Sequence, residues 1–452
     1  MTIAPMIARF VLLAGLLLAP RWAFAVDIQS VTNKDGIEIW LVEDHVNPIV
    51  SVAFGFKGGA GYDPAGKEGL AQLTSGLLDE GAGDIDSEHF QKRLTDRGIE
   101  VGFSADVDDF TGHMRFLRDD RAEAAQLLGL ALSAPRFDAE PIERMRNGQL
   151  IDISQGEGDP NTIAGRAMEE MMLGDHPYAR PGNGTKTSVE AITPDDLKQF
   201  AQTRFVRSRL KVSIVGDVSP AEAKEFVDQA FGVLPQDAPL PAMPPIAPSK
   251  AGRTRVIDFG VPQAIVQFAE PGIPRSDPDF FPAYLVNYVL GGGGFSSRLM
   301  NEVREKRGLV YGIGSDLWTF DAGGLIAGQF QTDPDKVAQA IEIVRAEWKR
   351  IASEGPTQDE LDNAKTFLLG YYPRNFTTTM DTAEALRGLQ IEHLGIDYVT
   401  RRQKEIAAVT LDDTRRVAKR LFDAGALTFI VVGPADQMPL PGAEVVKAPV
   451  QN

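Results

Sequence analysis

The chain has 452 residues, with 63 acidic side chains against 46 lysines and arginines and a formal charge of −17 at neutral pH. A surface this acidic repels phosphate backbones, which excludes nucleic acid as a partner class and favours solubility. With no cysteine, the chain has neither a disulfide framework nor a thiolate nucleophile or metal ligand.

Arg9, the apolar run 10–18 and Ala23-Phe24-Ala25 read as a cleaved secretory signal covering residues 1–25. The run is too short for an anchor, because a hydrocarbon layer of about 30 Å takes about 20 residues to cross. No later stretch is long enough either. Cleavage removes Arg9 and Arg21 and no acid, so the exported chain is more acidic still, and a bacterial periplasm is its expected compartment. The roughly 425 residues that remain exceed what one core supports, so two or more domains are expected.

Along the first half, residues 49–56 predict a strand, 69–78 a helix, 101–116 a strand hairpin and 122–132 a helix. The proline-rich tract from Leu234 to Pro248 sustains neither helix nor ladder and reads as a semi-rigid linker. It divides the chain into an N-terminal module (26–234), a linker (235–250) and a C-terminal module (251–452). An echo crosses that divide. Ile192-Thr193-Pro194-Asp195-Asp196-Leu197 answers Val409-Thr410-Leu411-Asp412-Asp413-Thr414 at an offset of 217 residues, which Ile214-Val215-Gly216 and Val431-Val432-Gly433, and Phe205 and Phe422, also keep. Internal duplication explains a shared offset. Each echo predicts a helix capped by Thr193 or Thr410, with acids in its first turn, followed by a strand.

The second half repeats the mixture, with strands at 264–268, 309–319 and 325–331, a helix at 282–290 and a long amphipathic helix at 336–352. Gly291 to Gly294 lack the Gly-Lys-Ser/Thr of a nucleotide loop and read as a flexible hinge. Ser296 or Ser297 then caps a helix with Leu299, Met300 and Val303 on its apolar side; Arg304 lies in its last turns and Gly308 suits its left-handed stop. Tyr311 opens the next strand. Helices mixed with hairpins give the fold class as α+β, in two homologous α/β-sandwich modules.

The stretch from Ser297 to Tyr311 reads S-R-L-M-N-E-V-R-E-K-R-G-L-V-Y, and Gly69 to Gly81 reads G-L-A-Q-L-T-S-G-L-L-D-E-G. Together they resemble the pitrilysin-type zinc peptidases, the inverted zincins, in which an H-x-x-E-H helix holds zinc and an Arg/Tyr pair seven residues apart lies in a second homologous module. Arg304 and Tyr311 have that spacing. In the zinc frame Gln72, Ser75 and Gly76 stand where His, Glu and His would be, and Asp152 stands where a third ligand, a Glu, would fall. Neither Gln72 nor Gly76 is a usable zinc ligand, Ser75 is no general base, and one carboxylate does not hold the ion. His45, His89, His113, His176 and His393 show no compensating ligand spacing. Asp175-His176-Pro177-Tyr178-Ala179-Arg180-Pro181 and Ile214-Val215-Gly216-Asp217 are similar to fold markers of the same family, and 98–111 to the edge strand on which its members hold extended substrate. The resemblance spans residues 28 to 436.

That resemblance implies half of a clamshell, organised like a subunit of the mitochondrial processing peptidase. The chain would be a zinc-free subunit of a heterodimeric metalloendopeptidase. Arg304 would grip a substrate carbonyl and Tyr311 would stabilise the oxyanion, while a homologous H-x-x-E-H partner supplies zinc and the general base. No cofactor is expected in this chain, and the substrate would be a peptide or unfolded protein. The other reading is a non-enzymatic peptide-binding or scaffolding protein derived from the same fold.

Overall fold

A computed structural model describes residues 27–448, so the signal read at 1–25 lies outside the described residues. Two six-stranded sheets dominate the architecture. The first joins β1 (Gln29–Thr32), β2 (Glu38–Glu43), β3 (Ile49–Lys57), β4 (Glu100–Ala105), β5 (Asp109–Leu117) and β6 (Leu210–Gly216) in the order β1-β2-β6-β3-β5-β4. The second joins β7 (Thr254–Asp258), β8 (Ala264–Pro271), β9 (Val310–Phe320), β10 (Gly323–Thr332), β11 (Thr428–Gly433) and β12 (Glu444–Lys447) in the order β12-β7-β11-β8-β10-β9. The fold is α+β, and both echoes have the same local form. Thr193 and Thr410 each close a reciprocal capping box, with Asp196 and Asp413 respectively, which satisfies backbone donors that the helix start leaves open.

Strand β3 is buried on both sides, because its alternate residues meet two different helix layers. Phe54 and Phe56 face helices of their own half, in a core with Phe110, Phe200, Phe205 and Phe231. Ala53 faces the other way, against Ala383 and Leu386 of the Thr379–Ile391 helix, which belongs to the second half. The exchange is mutual. Ile163 and Met172 of the Pro160–Leu173 helix pack on Ile265, Ile430 and Val432 of the second sheet. Hydrogen bonds fix the crossing: Gln390 Nε2 donates to Val212 O at 2.9 Å, and Ser213 Oγ donates to Ala383 O. Each half thus completes the other's sandwich, and apolar burial on both sheets holds the halves together.

No helix or strand lies between Phe231 and Thr254. The segment is nonetheless pinned, by Ile246 N to Ala322 O at 2.9 Å, Ser249 N to Met172 O at 2.9 Å and His176 Nε2 with Pro244 O at 2.8 Å. The reading of Gly291 to Gly294 as a hinge is corrected by packing. Gly291 and Gly292 end a turn that rests on β9, where a Cβ at 291 would strike Ser315 Oγ and one at 293 would come within 2.8 Å of Tyr288 O. Gly291, Gly292 and Gly293 are there for close approach, and Gly294, at φ 55° with open space around it, for its left-handed backbone.

Glu270 on β8 is buried; its carboxylate accepts from Trp348 Nε1 at 2.5 Å and Asp423 N at 2.8 Å. Burial pushes its pKa up to about 8 against those two bonds. The folded state therefore keeps a proton that the unfolded chain releases, and stability falls by about 1.4 kcal/mol per pH unit as the pH rises from the ordinary glutamate range toward about 8. Urea unfolding at pH 6 and pH 8 tests this: the stability advantage of wild type over Glu270→Gln shrinks by about 2 kcal/mol across that interval. Parallel stability curves for the two proteins would show that Glu270 is ionised throughout.

Candidate functional site

Ser297 starts the helix that carries Arg304, its Oγ accepting from Met300 N at 3.3 Å. The next residue, Arg298, is buried and grips Glu360 through two bonds of 2.7 and 2.6 Å and Gly355 O through one of 3.0 Å. Partial burial opposes ionisation of Glu360, yet Arg298 and Thr357 outweigh it and hold the carboxyl at about 2. That ion pair fixes the helix start, and Leu299, Met300 and Val303 are buried in the core. From Met300 to Glu305 the helix widens to a π turn, with Lys306 N bonded to Asn301 O at 3.0 Å. Such widening re-aims side chains and recurs at functional sites. Gly308, at φ 61°, ends the helix.

A β-bulge follows. Thr332 faces Val310 and Phe330 faces Ile313, so Tyr311 and Gly312 together oppose Gln331. The extra residue lets Val310 and Ile313 both enter the core while Tyr311 turns outward, 90% exposed. The Arg304 guanidinium lies 5.6 Å from the centre of the Tyr311 ring and 4.8 Å from that of Phe295, and it also meets Glu305 at 2.6 Å. Arg304 and Tyr311, seven residues apart in sequence, are thereby adjacent in space. Tyr311 stands at a cleft of about 440 Å³ floored by β8, β9 and β10, with Asn161 and Met168 of the exchanged Pro160–Leu173 helix in its wall.

The second group of residues lies elsewhere. The Leu70–Ser75 helix is shorter than the predicted 69–78, since Gly69 in a left-handed conformation precedes it and Gly76 caps its end. Asp63 accepts from Gly69 N at 3.0 Å and Ala71 N at 3.2 Å; burial raises its pKa to about 7 despite those bonds. Gln149 braces the same end through Gly69 O at 3.1 Å and Asn183 O at 2.8 Å. Gln72, Gly76 and Asp152 line one hollow of about 200 Å³ together with Met145. Ser75 does not line it; its Oγ donates to Gln72 O at 2.8 Å. A Cβ on Gly76 would lie 3.5 Å from Met145 Sδ, so a thioether borders the place of the second histidine.

This donor set does not fit zinc. One amide, one bare backbone and one carboxylate supply neither enough ligands nor a base, and no three His, Cys, Asp or Glu converge among the described residues. The histidines have separate neighbours: His45 meets Asp217 at 2.6 Å, His89 meets Asp86 at 2.6 Å and His113 lies 4.0 Å from Glu384. The turn from Asp175 to Pro181 braces the segment that leads into the Leu70–Ser75 helix, Arg180 donating to Asp63 O at 3.0 Å and Gly61 O at 3.2 Å. Strand β4 borders the first sheet, paired with β5 alone and next to that helix. The hollow and the Tyr311 cleft share no lining residue.

Sequence reasoning missed Phe295, Met145 and the polar floor of the cleft. Phe295 left a trace, an aromatic residue after four glycines. Met145 left none, because its approach to Gly76 is purely tertiary. Among the described residues no helix is long and apolar enough to cross a membrane.

Residues 191–368, which include the whole Arg304–Tyr311 frame, match the family described as peptidase M16 inactive domain. An uncharacterised zinc protease of Streptomyces coelicolor is 30% identical over 77% of this chain and 79% of its own length. A Helicobacter pylori protein named as a non-peptidase homolog is 26% identical over 88% of this chain and 92% of its own. Among solved structures, a peptidase M16 inactive domain from Pseudomonas fluorescens superposes with a TM-score of 0.85 at 27% identity, covering 90% of this chain and 98% of that one. The chain belongs to the M16 peptidases, the pitrilysin-type family, as a peptidase-like member without the zinc motif.

Proposed function

We propose that this protein is the zinc-free subunit of a two-chain periplasmic peptidase, in which a homologous H-x-x-E-H subunit supplies zinc and the general base. One observation carries the reading: Arg304 lies against Tyr311, which is turned out at an open cleft, whereas the place of the zinc helix holds Gln72, Ser75 and Gly76. A phenol that served only packing would be buried; this one is 90% exposed. In the assembled enzyme the Tyr311 hydroxyl donates to the oxygen that becomes negative in the tetrahedral intermediate, a contribution of roughly 3 to 4 kcal/mol. Arg304 holds a neighbouring carbonyl of an extended or unfolded peptide. The guanidinium between Phe295 and Tyr311 is already oriented, which lowers the ordering cost of binding.

Co-expression with an exported M16 homologue that carries an intact zinc motif tests the assembly. Size exclusion with light scattering shows a one-to-one complex, and that complex cleaves an unstructured peptide that neither chain cleaves alone. A zinc-bearing homologue that is fully active by itself and never associates with this chain would end the proposal. The second reading, a non-enzymatic peptide-binding or scaffolding protein, is favoured by the Helicobacter pylori relative named as a non-peptidase homolog. Under it the complex forms and Tyr311 is dispensable.

A further inference from the structure

The cleft beside Tyr311 has a floor that neither Arg304 nor Tyr311 explains. Gln329 and Gln331 are successive residues on one face of β10, exposed, and bonded to no other side chain or backbone group among the described residues. Gln267 of β8 lies opposite Gln329 in register. Gln267 Nε2 donates to Asn161 O at 3.5 Å, whereas the two unbonded amides of β10 gain nothing for folding. Carboxamides carry the same donor and acceptor as a peptide group, and the two-residue repeat of a strand, about 6.7 Å, is also the repeat of an extended peptide.

The edge of β9 is closed to strand addition where it borders the cleft. Met300 Sδ takes the Ile313 N–H at 3.3 Å, and Asn287 Nδ2 takes the Ser315 carbonyl at 2.8 Å. A peptide arriving at Tyr311 therefore cannot extend the sheet along Ile313 to Ser315 and must lie over its face. There the wall is Asn161 and Met168, donated by the first half through the helix exchange.

We propose that this cleft is a backbone-reading peptide subsite, in which Gln329 and Gln331 hydrogen-bond alternate peptide groups of an extended chain running toward Tyr311, with Gln267 beside Gln329 at the same level. The proposal rests on the reading of the protein as a peptide-handling subunit and adds how the peptide is held. Because the contacts go to peptide groups, the subsite is indifferent to side-chain sequence. Its size, about 440 Å³, suits a few residues of one extended strand.

The full mature chain alone is titrated against a fluorescein-labelled, unstructured 15-residue peptide of mixed Gly, Ser, Ala and Leu, and against the same peptide with alternate nitrogens methylated, by fluorescence anisotropy. Wild type binds the unmethylated peptide saturably and the methylated one roughly tenfold more weakly. Gln329→Leu/Gln331→Leu loses roughly tenfold on the unmethylated peptide and no longer distinguishes the two. Met168→Trp, which narrows the cleft from the opposite wall, weakens both. Thermal unfolding confirms that each variant is folded. No saturable binding by wild type, or equal affinities for wild type and the double variant, overturns the proposal. The catalytic reading fails by a different result, unchanged turnover of the reconstituted pair with Tyr311→Phe while peptide binding persists.

Discussion

Tyr311→Phe in the reconstituted two-chain enzyme lowers turnover by roughly 10²-fold or more and leaves assembly and peptide affinity unchanged. The change removes one hydroxyl from a side chain that is 90% exposed, so no packing is lost and no buried partner is orphaned. A donor that acts only on the developing oxyanion reduces kcat and leaves ground-state binding intact. Arg304→Ala behaves differently, because its guanidinium contacts the Phe295 and Tyr311 rings. It weakens substrate engagement and turnover together, and frees Tyr311 to move. Gln72→Ala, in a hollow with no assigned chemistry, does little. Steady-state kinetics on the intact heterodimer give the order of the three effects. If Tyr311→Phe matches wild type there, the pair is a relic and the scaffold reading replaces the catalytic one.

Local chemistry made much of the fold legible. The capping boxes at Thr193 and Thr410 and the apolar, β-branched run of β3 need only neighbouring residues, and both echoes kept their spacing through the duplication. What could not be read depends on distant partners. Nothing in Pro160–Leu173 or Thr379–Ile391 says that each helix covers the sheet of the opposite half, since an apolar helix face does not name its partner. At the site, the Arg304/Tyr311 spacing was visible. The bulge that turns Tyr311 outward was not, because it is a mismatch with Gln331 across the ladder. The glycines from 291 to 293 misled in the same way: local sequence suggests freedom, and contact with Ser315 and Tyr288 removes it.

Purified alone, this chain retains no stoichiometric zinc after dialysis and cleaves no fluorogenic peptide. The expectation follows from donor chemistry at three positions in one hollow. Gln72 offers a neutral amide oxygen, Gly76 offers no side chain, and Asp152 is a single carboxylate, whereas a catalytic zinc site needs three good ligands and a base beside the bound water. Ser75, at the position of that base, donates its hydroxyl to Gln72 O within its own helix. Restoring one ligand is insufficient: Gly76→His places an imidazole where Met145 Sδ lies 3.5 Å from the new Cβ, and the base is still missing. Zinc analysis by mass spectrometry and a peptide assay with and without chelator give the answer. Tight zinc together with chelator-sensitive cleavage by a homogeneous sample would place a metal site elsewhere in the chain and remove the need for a zinc-bearing partner.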